Sequence, residues 1–367
     1  MGEINRSQIS LSQFLKNFSC ICTWYNLYDE SILHINGHIM LTDTFGHTIS
    51  YLRISVTDRC NLRCVYCMPE AGIEKRPHQA ILRYEEIAEL VRIFAGLGVK
   101  AVRITGGEPL VRPDLYKLVE MITKIDGIDD ISLTTNALLL EGQAEELAGA
   151  GLKRINISLD TLQEAKFAKI TRHGSLENVW RGIEAAEKNH LAPIKLNVVA
   201  MRGINDDEFV DLARLTHQHP WSVRFIELMP IGNQMHWGEG FPAPKEAFMP
   251  VSEIKTLLEP MELTPVIQKN GSGPAREYRL KGALGTVGFI SPVSDHFCGS
   301  CNRMRLTADG NLRPCLFSDE EIPLLPAIRN GEPVLPLIEQ AVALKPAGHN
   351  LDQDETPAKR KMKEIGG

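Results

Sequence analysis

Short apolar runs alternate with helix-like patterns from about residue 84 to residue 228, and that alternation leaves few folds open to the chain. Ile87, Leu90, Val91 and Phe94 recur at helical spacing within Glu85–Phe94, with Gly96 and Gly98 available to end the helix. The strand Ala101–Thr105 follows, then a helix over about Leu115–Lys124 and a strand at Asp130–Thr134. An Ala-rich helix, Ala144–Ala150, leads to the strand Arg154–Leu159. Glu177–Asn189 precedes the strand Ile194–Ala200, and Asp207–Leu215 precedes Val223–Leu228. Repeated strand–helix units of this length predict parallel crossovers, hence a β/α barrel, a partial barrel or a doubly wound sheet.

Beyond residue 240 the pattern changes. Pro and Gly cluster at Phe241–Lys245 and Gly271–Pro274, and Arg276–Pro292 reads as Gly-punctuated strands. Arg303–Thr307 and Asn311–Phe317 flank Ala308-Asp309-Gly310, a hairpin signal. A last helix, about Leu335–Leu344, gives way to a Pro- and charge-rich tail ending in Gly366-Gly367. The expected organisation is an N-terminal extension (1–39), a β/α core (40–270) and a smaller C-terminal module (271–367). With 40 basic and 46 acidic residues the net charge is −6, so no global basic field recruits nucleic acid or an anionic membrane. Any anionic ligand must be held by locally placed Arg and Lys. No run approaches the ~18 apolar residues of a membrane span, and the N-terminus lacks the pattern of a secretory signal, so a cytoplasmic protein is expected.

Six of the eight cysteines form two separated trios. Clustered thiols in a reducing compartment read as metal ligands or redox groups. Cys60, Cys64 and Cys67 have the spacing Cys-x3-Cys-x2-Cys, and three thiolates on one short loop can converge on a cubane iron–sulfur cluster, leaving one iron open. Cys298, Cys301 and Cys315 give Cys-x2-Cys-x13-Cys, with the Asp309-Gly310 turn bringing Cys315 back beside Cys301. Zinc is the competing reading of both trios, with a distant His for the first and His296 for the second. Arg303 and Arg305, two apart on a strand, share a face and repel each other unless an anion lies between them, which favours phosphate. Cys20 and Cys22 have no neighbouring third ligand and read as incidental thiols.

The first trio, with Tyr66 before its last Cys, resembles the signature of the radical S-adenosylmethionine (SAM) superfamily, as does Thr105-Gly106-Gly107-Glu108-Pro109 at the end of a strand. The resemblance implies a partial TIM-type β/α barrel and a [4Fe–4S] cluster whose open iron chelates SAM, with reductive cleavage to methionine and a 5′-deoxyadenosyl radical. Gly107 is then expected at the methionine amino group, Ser158 at the carboxylate or ribose, and Tyr66 and Met229 at the adenine.

From about Leu41 to the C-terminus the chain resembles, more specifically, the GTP 3′,8-cyclase family of molybdenum cofactor biosynthesis. The segments that carry this are residues 51–60, residues 102–109, Cys301-Asn302-Arg303-Met304-Arg305-Leu306 and the Gly-Gly end. The family implies a second [4Fe–4S] cluster in a C-terminal α+β module, binding the guanine of GTP. It implies nucleotide contacts from Arg53, Arg103, Thr134, Lys195, Arg303 and Arg305, and a tail, Gly366-Gly367, that reaches the active site. The implied reaction is hydrogen abstraction at C3′ of GTP and attack of that carbon on guanine C8, giving (8S)-3′,8-cyclo-7,8-dihydro-GTP. Expected partners are a reducing electron donor, a downstream cyclic pyranopterin monophosphate synthase and, as an oligomer, a homodimer; neither nucleic acid nor membrane is expected. Family chains begin near Met40, which makes residues 1–39 an addition and Met40 a candidate start. Two other readings compete: a radical SAM enzyme acting on a peptide or another small molecule, and a zinc-stabilised binding protein without catalysis.

Overall fold

The computed structural model describes residues 32–35, 38–72, 74, 76–231, 237–266, 273–349, 351 and 357–366. Expectations for residues 1–31, including Cys20 and Cys22, and for Gly367 fall outside them. Ile32–Ile35 (β1) and His38–Leu41 (β2) pair as a separate antiparallel hairpin.

The main sheet begins at Tyr51–Ser55 (β3), ahead of the first cysteine trio and of the point where the sequence pattern first reads as alternating. It continues through Ala101–Thr105 (β4), Asp130–Thr135 (β5), Arg154–Ser158 (β6), Ile194–Ala200 (β7) and Ser222–Glu227 (β8), each parallel to the one before. Helices Tyr84–Gly96, Leu115–Thr123, Ala144–Gly149, Leu176–Lys188 and Phe209–Gln218 supply the crossovers the sequence predicts. Glu164–Thr171 is a further helix that the sequence pattern passes over.

The C-terminal third extends this sheet at both ends. Thr264–Pro265 (β9), Arg276–Arg279 (β10) and Thr286–Ile290 (β11) add to one side, with β11 parallel to β8. Arg303–Leu306 (β12), Asn311–Arg313 (β13) and Ile322–Pro323 (β14) add to the other, with β12 parallel to β3. The strand order is linear, β14-β13-β12-β3-β4-β5-β6-β7-β8-β11-β10-β9. The sheet is therefore an incomplete barrel, and the chain between β11 and β12, which carries Cys298 and Cys301, runs from one flank to the other. The second hairpin strand ends at Arg313, two residues after it starts, because Pro314 has no N–H for the ladder.

Alternation along the strands sorts polar from apolar. Leu52 and Ile54, Val102 and Ile104, Ile131 and Leu133, Ile155 and Ile157, Leu196 and Val198, and Val223 and Phe225 belong to the core beneath the helices. The residues between them face the barrel interior. There the registers align Arg305 with Arg53, Arg53 with Arg103 and Arg103 with Ser132 across four neighbouring strands. A second row aligns Thr134, Asn156, Lys195 and Ser222, and a third Ser158, Asn197 and Arg224.

Candidate active site

The loop after β3 carries the first trio. Val56 N–H donates to Thr105 O, Gly107 N–H to Thr57 O (2.7 Å) and Glu108 N–H to Arg59 O (2.8 Å), so the Gly-Gly-Glu-Pro turn is laced to the chain leading into Cys60. A side chain at Gly107 would place its Cβ 2.4 Å from Arg59 O, and one at Gly106 2.7 Å from Thr57 O. Close backbone approach is why both positions need glycine. Glu108 is buried and accepts from Thr135 Oγ1, Asn136 N–H and Leu110 N–H. Burial, only partly offset by those donors, raises its carboxyl to about 7. Its role is to fasten the turn to the end of β5.

On its other side the cysteine loop rests on the helix Glu164–Thr171: Arg63 N–H donates to Thr171 O and Val65 N–H to Ile170 O. Arg172, in the left-handed region at φ 59°, donates to Arg63 O and Met68 O on either side of Cys64 and Cys67 and to Trp237 O. Its motif value is invisible in the sequence, since it acts only once the helix and loop have met.

One cavity of about 300 Å³ joins the two trios; its lining includes Cys60, Cys64, Cys67, Cys298, Cys301 and Cys315. All six thiols are free. Gly107, Tyr66, Ser158 and Met229 line it, as do Arg53, Arg103, Thr134, Arg303 and Arg305. Lys195 does not line it; it stands in the row behind Thr134. Gly366 caps the last helical turn (Met362–Ile365), and its carbonyl accepts from Arg305 Nη1 at 2.8 Å, so the tail lies against the arginine row. Tyr66 donates its hydroxyl to Asp160 Oδ2 (2.7 Å), and Asp160 Oδ1 accepts from Val199 N–H (2.8 Å). Burial lifts the Asp160 carboxyl to about 6. Asp160, Asn197 and Arg224 also line the cavity and are additions to the residues expected from sequence; alternation along β7 and β8 was the signal that could have found the last two.

Electrostatically Cys301 stands apart from the first trio. Burial raises Cys60 to about 11 and Cys67 to about 12, and drives Cys64 well up, with Cys67 adding to the effect. Burial also opposes ionisation of Cys301, yet Arg303 and Lys345 outweigh it and bring that thiol to about 7. Lys345 Nζ lies 3.5 Å from Cys301 Sγ and 3.2 Å from both Arg303 O and Pro314 O. Several cations line the cavity, Arg53, Arg103, Arg303 and Arg305 among them. Burial and then Arg303 lower Arg305 to about 10, while burial lowers Arg103, and burial with Arg305 and Arg103 lowers Arg53 further. Neighbouring buried guanidiniums hold positive charge at a cost that a polyanion would relieve. The buried hydroxyls of Thr134 and Tyr51 have no hydrogen-bond partner, and both residues face this space. Polar atoms left so in a pocket suit a ligand.

These residues fit two cubane clusters. Each trio supplies three thiols to one cavity, the number that a cubane with one open iron takes.

Comparison with known proteins agrees. Residues 54–216 match the Radical SAM superfamily and residues 221–351 match Molybdenum Cofactor Synthesis C. A GTP 3′,8-cyclase of Pelotomaculum thermopropionicum is 52% identical over 330 residues, covering 89% of this chain and 100% of the relative. That of Moorella thermoacetica is 49% identical with the same coverage, and that of Listeria monocytogenes 47% identical over 89% of this chain and 99% of its own. Among solved structures, Streptococcus suis SuiB bound to S-adenosylmethionine aligns with a TM-score of 0.54 at 15% identity, over 85% of this chain and 67% of that one, a likeness of fold. The parallel sheet, the paired thiol trios and relatives about half identical along nearly their whole length place the chain in the GTP 3′,8-cyclase family of the radical SAM superfamily.

Proposed function

We infer that this chain catalyses the conversion of GTP to (8S)-3′,8-cyclo-7,8-dihydro-GTP, the first step of molybdenum cofactor biosynthesis, using SAM and two [4Fe–4S] clusters. The observation that carries the reading is the register row of Arg305, Arg53 and Arg103 in one cavity with both thiol trios. Cys60, Cys64 and Cys67 hold the first cluster, and Cys298, Cys301 and Cys315 the second. With its SAM bound, the first cluster supplies an oxidising carbon radical able to take the C3′ hydrogen of GTP, chemistry beyond any side chain.

The protein's own contribution is position and charge. Gly107, on a turn with no room for a Cβ, offers its backbone to the methionine end of SAM, with Ser158 and Met229 along the nucleoside. Tyr66, fixed by Asp160, borders the adenine. The arginine row takes the triphosphate, Arg303 reaches it from the second trio, where its guanidinium lies 4.8 Å from the Phe297 ring centroid, and Thr134 donates to the ribose or phosphate. Clamping the nucleotide at both ends lets C3′ wait beside the adenosyl carbon, which is how bound geometry lowers a barrier. Gly366 closes this site from the tail. An acidic chain thus binds a polyanion through a buried, local cation row. Anaerobic incubation with GTP, SAM and dithionite is the test: 5′-deoxyadenosine together with a cyclised nucleotide is expected, and deoxyadenosine with GTP returned unchanged would overturn the substrate.

The reaction needs a reducing donor, and a cyclic pyranopterin monophosphate synthase is the expected recipient of the product; a homodimer is the expected assembly. No helix among the described residues is long and apolar enough to cross a membrane. Six free thiols suit the cytoplasm.

Lys195 gives the site a pH signature. Burial, then the charges of Arg224, Arg154 and Arg103, lower its ammonium to about 7. At pH 8 most of it is neutral, and an incoming triphosphate raises its pKa, so GTP binding should take up protons. At pH 6 the group is already charged and uptake should vanish. Calorimetry in buffers of different ionisation enthalpy reads this directly; uptake at pH 8 that persists in Lys195→Met would assign the proton to another group.

A further inference from the structure

The last described segment, 357–366, is held by more than its end. Arg360 is buried and makes two bidentate pairs: Nε and Nη2 donate to Glu321 (2.7 and 2.8 Å), and Nη1 and Nη2 donate to Asp309 (3.1 and 3.0 Å). Arg313, fully buried, completes the Glu321 side at 2.9 Å. Asp319 accepts from the backbone N–H groups of Ala358 and Lys359. Arg76, from the chain after the first trio, bridges Asp309 (2.9 Å) and Glu364 (3.7 Å). The segment is thus clasped to the hairpin turn at Asp309 and to the chain beyond it, and the clasp sets where the next residues fall.

They fall on the first trio. Lys363 is 2% exposed and forms part of the cavity lining. Its ammonium favours the ionised form of the Cys67 thiol, and Nζ comes to 3.5 Å from Asp58 O, two residues before Cys60. Three residues on, Gly366 reaches Arg305. One short segment therefore reaches both the loop of one trio and an arginine of the substrate row.

We propose that Lys363 is a positioning residue that sets the reduction potential of the first cluster, and that the Arg360 clasp delivers it. The proposal rests on the reading of Cys60, Cys64 and Cys67 as cluster ligands. Nearby positive charge stabilises the reduced, more negative cluster and so raises its potential. The docked tail makes the cluster easier to reduce.

The test is a redox titration followed by electron paramagnetic resonance on the full, anaerobically reconstituted chain, reading the signal that changes when SAM is added. Lys363→Met should shift that midpoint to lower potential, because the charge is lost while the chain length is kept. Lys363→Arg should stay near the unaltered value, and Arg360→Met, which frees the segment without touching the trio, should shift it in the same direction as Lys363→Met. An unchanged midpoint in Lys363→Met overturns the proposal and leaves the ligand assignment standing. A normal midpoint in Arg360→Met overturns the delivery role of the clasp. Absence of any SAM-sensitive iron–sulfur signal in the unaltered chain overturns the ligand assignment itself, and the proposal with it.

Discussion

Cys64→Ser should abolish SAM cleavage while leaving the second cluster in place. The Cys64 thiol is pushed far up by burial and by Cys67, so it becomes a thiolate only when iron takes the proton's place. A serine hydroxyl is a harder, far more basic ligand and does not replace it. Backbone support does not compensate, because Cys67 N–H and Met68 N–H both donate to Cys64 O and merely keep the loop in shape around a missing donor. Losing a partner outside the ligand shell typically costs roughly 10–100-fold, so losing a ligand should cost more than about 100-fold. Iron per chain should fall from about eight to about four after anaerobic reconstitution, and 5′-deoxyadenosine should not form. Cys315→Ser should give the same iron loss with deoxyadenosine formation retained. Cleavage at the unaltered rate in Cys64→Ser would remove this residue from the ligand set.

The two halves of that prediction were unequally visible in the sequence. The trios, the Gly-Gly-Glu-Pro turn and the arginine pair are local patterns, and the structure brings them to one cavity. The strands Ala101–Thr105 and Ile194–Ala200 have the predicted bounds, since buried apolar residues and flanking turns mark both ends. Tyr51–Ser55 is as regular a strand, but its alternation is short and is masked by the motif it introduces. The helix Glu164–Thr171 buries only Phe167, Ile170 and Thr171, too few to leave a helical period.

What stayed hidden depends on distance along the chain. β12 pairs with β3 some 250 residues earlier, Arg303 opposite Tyr51, and no local pattern announces a parallel pairing of that span. The hairpin containing Asp309 and Gly310 was legible; its attachment to the barrel edge was not. Arg172, Asp160, Lys345 and Lys363 belong to the same class. Each is an ordinary polar residue in its own segment and acquires a role only where folding sets it beside a thiol, a tyrosine or a loop carbonyl.

Gly107→Ala should disable the SAM site with every ligand and every charged residue intact. The added methyl carbon would lie 2.4 Å from Arg59 O and 2.8 Å from Arg59 C, backbone atoms that no rotamer change can move. The turn and the loop before Cys60 must separate, and the cost falls on the hydrogen bonds Gly107 N–H to Thr57 O and Glu108 N–H to Arg59 O. Forcing one methyl into a packed site typically costs about 1–3 kcal/mol, which corresponds to roughly 5- to 150-fold in affinity. SAM affinity of the reconstituted chain should fall by that factor, and cleavage should fall with it, because the displaced loop carries the trio. Gly142→Ala is the control, since nothing lies within 4 Å of a Cβ there. Equal SAM affinity in the Gly107 and Gly142 variants would mean that the turn yields without moving the cysteine loop, and the coupling of turn to cluster argued from these hydrogen bonds would fall.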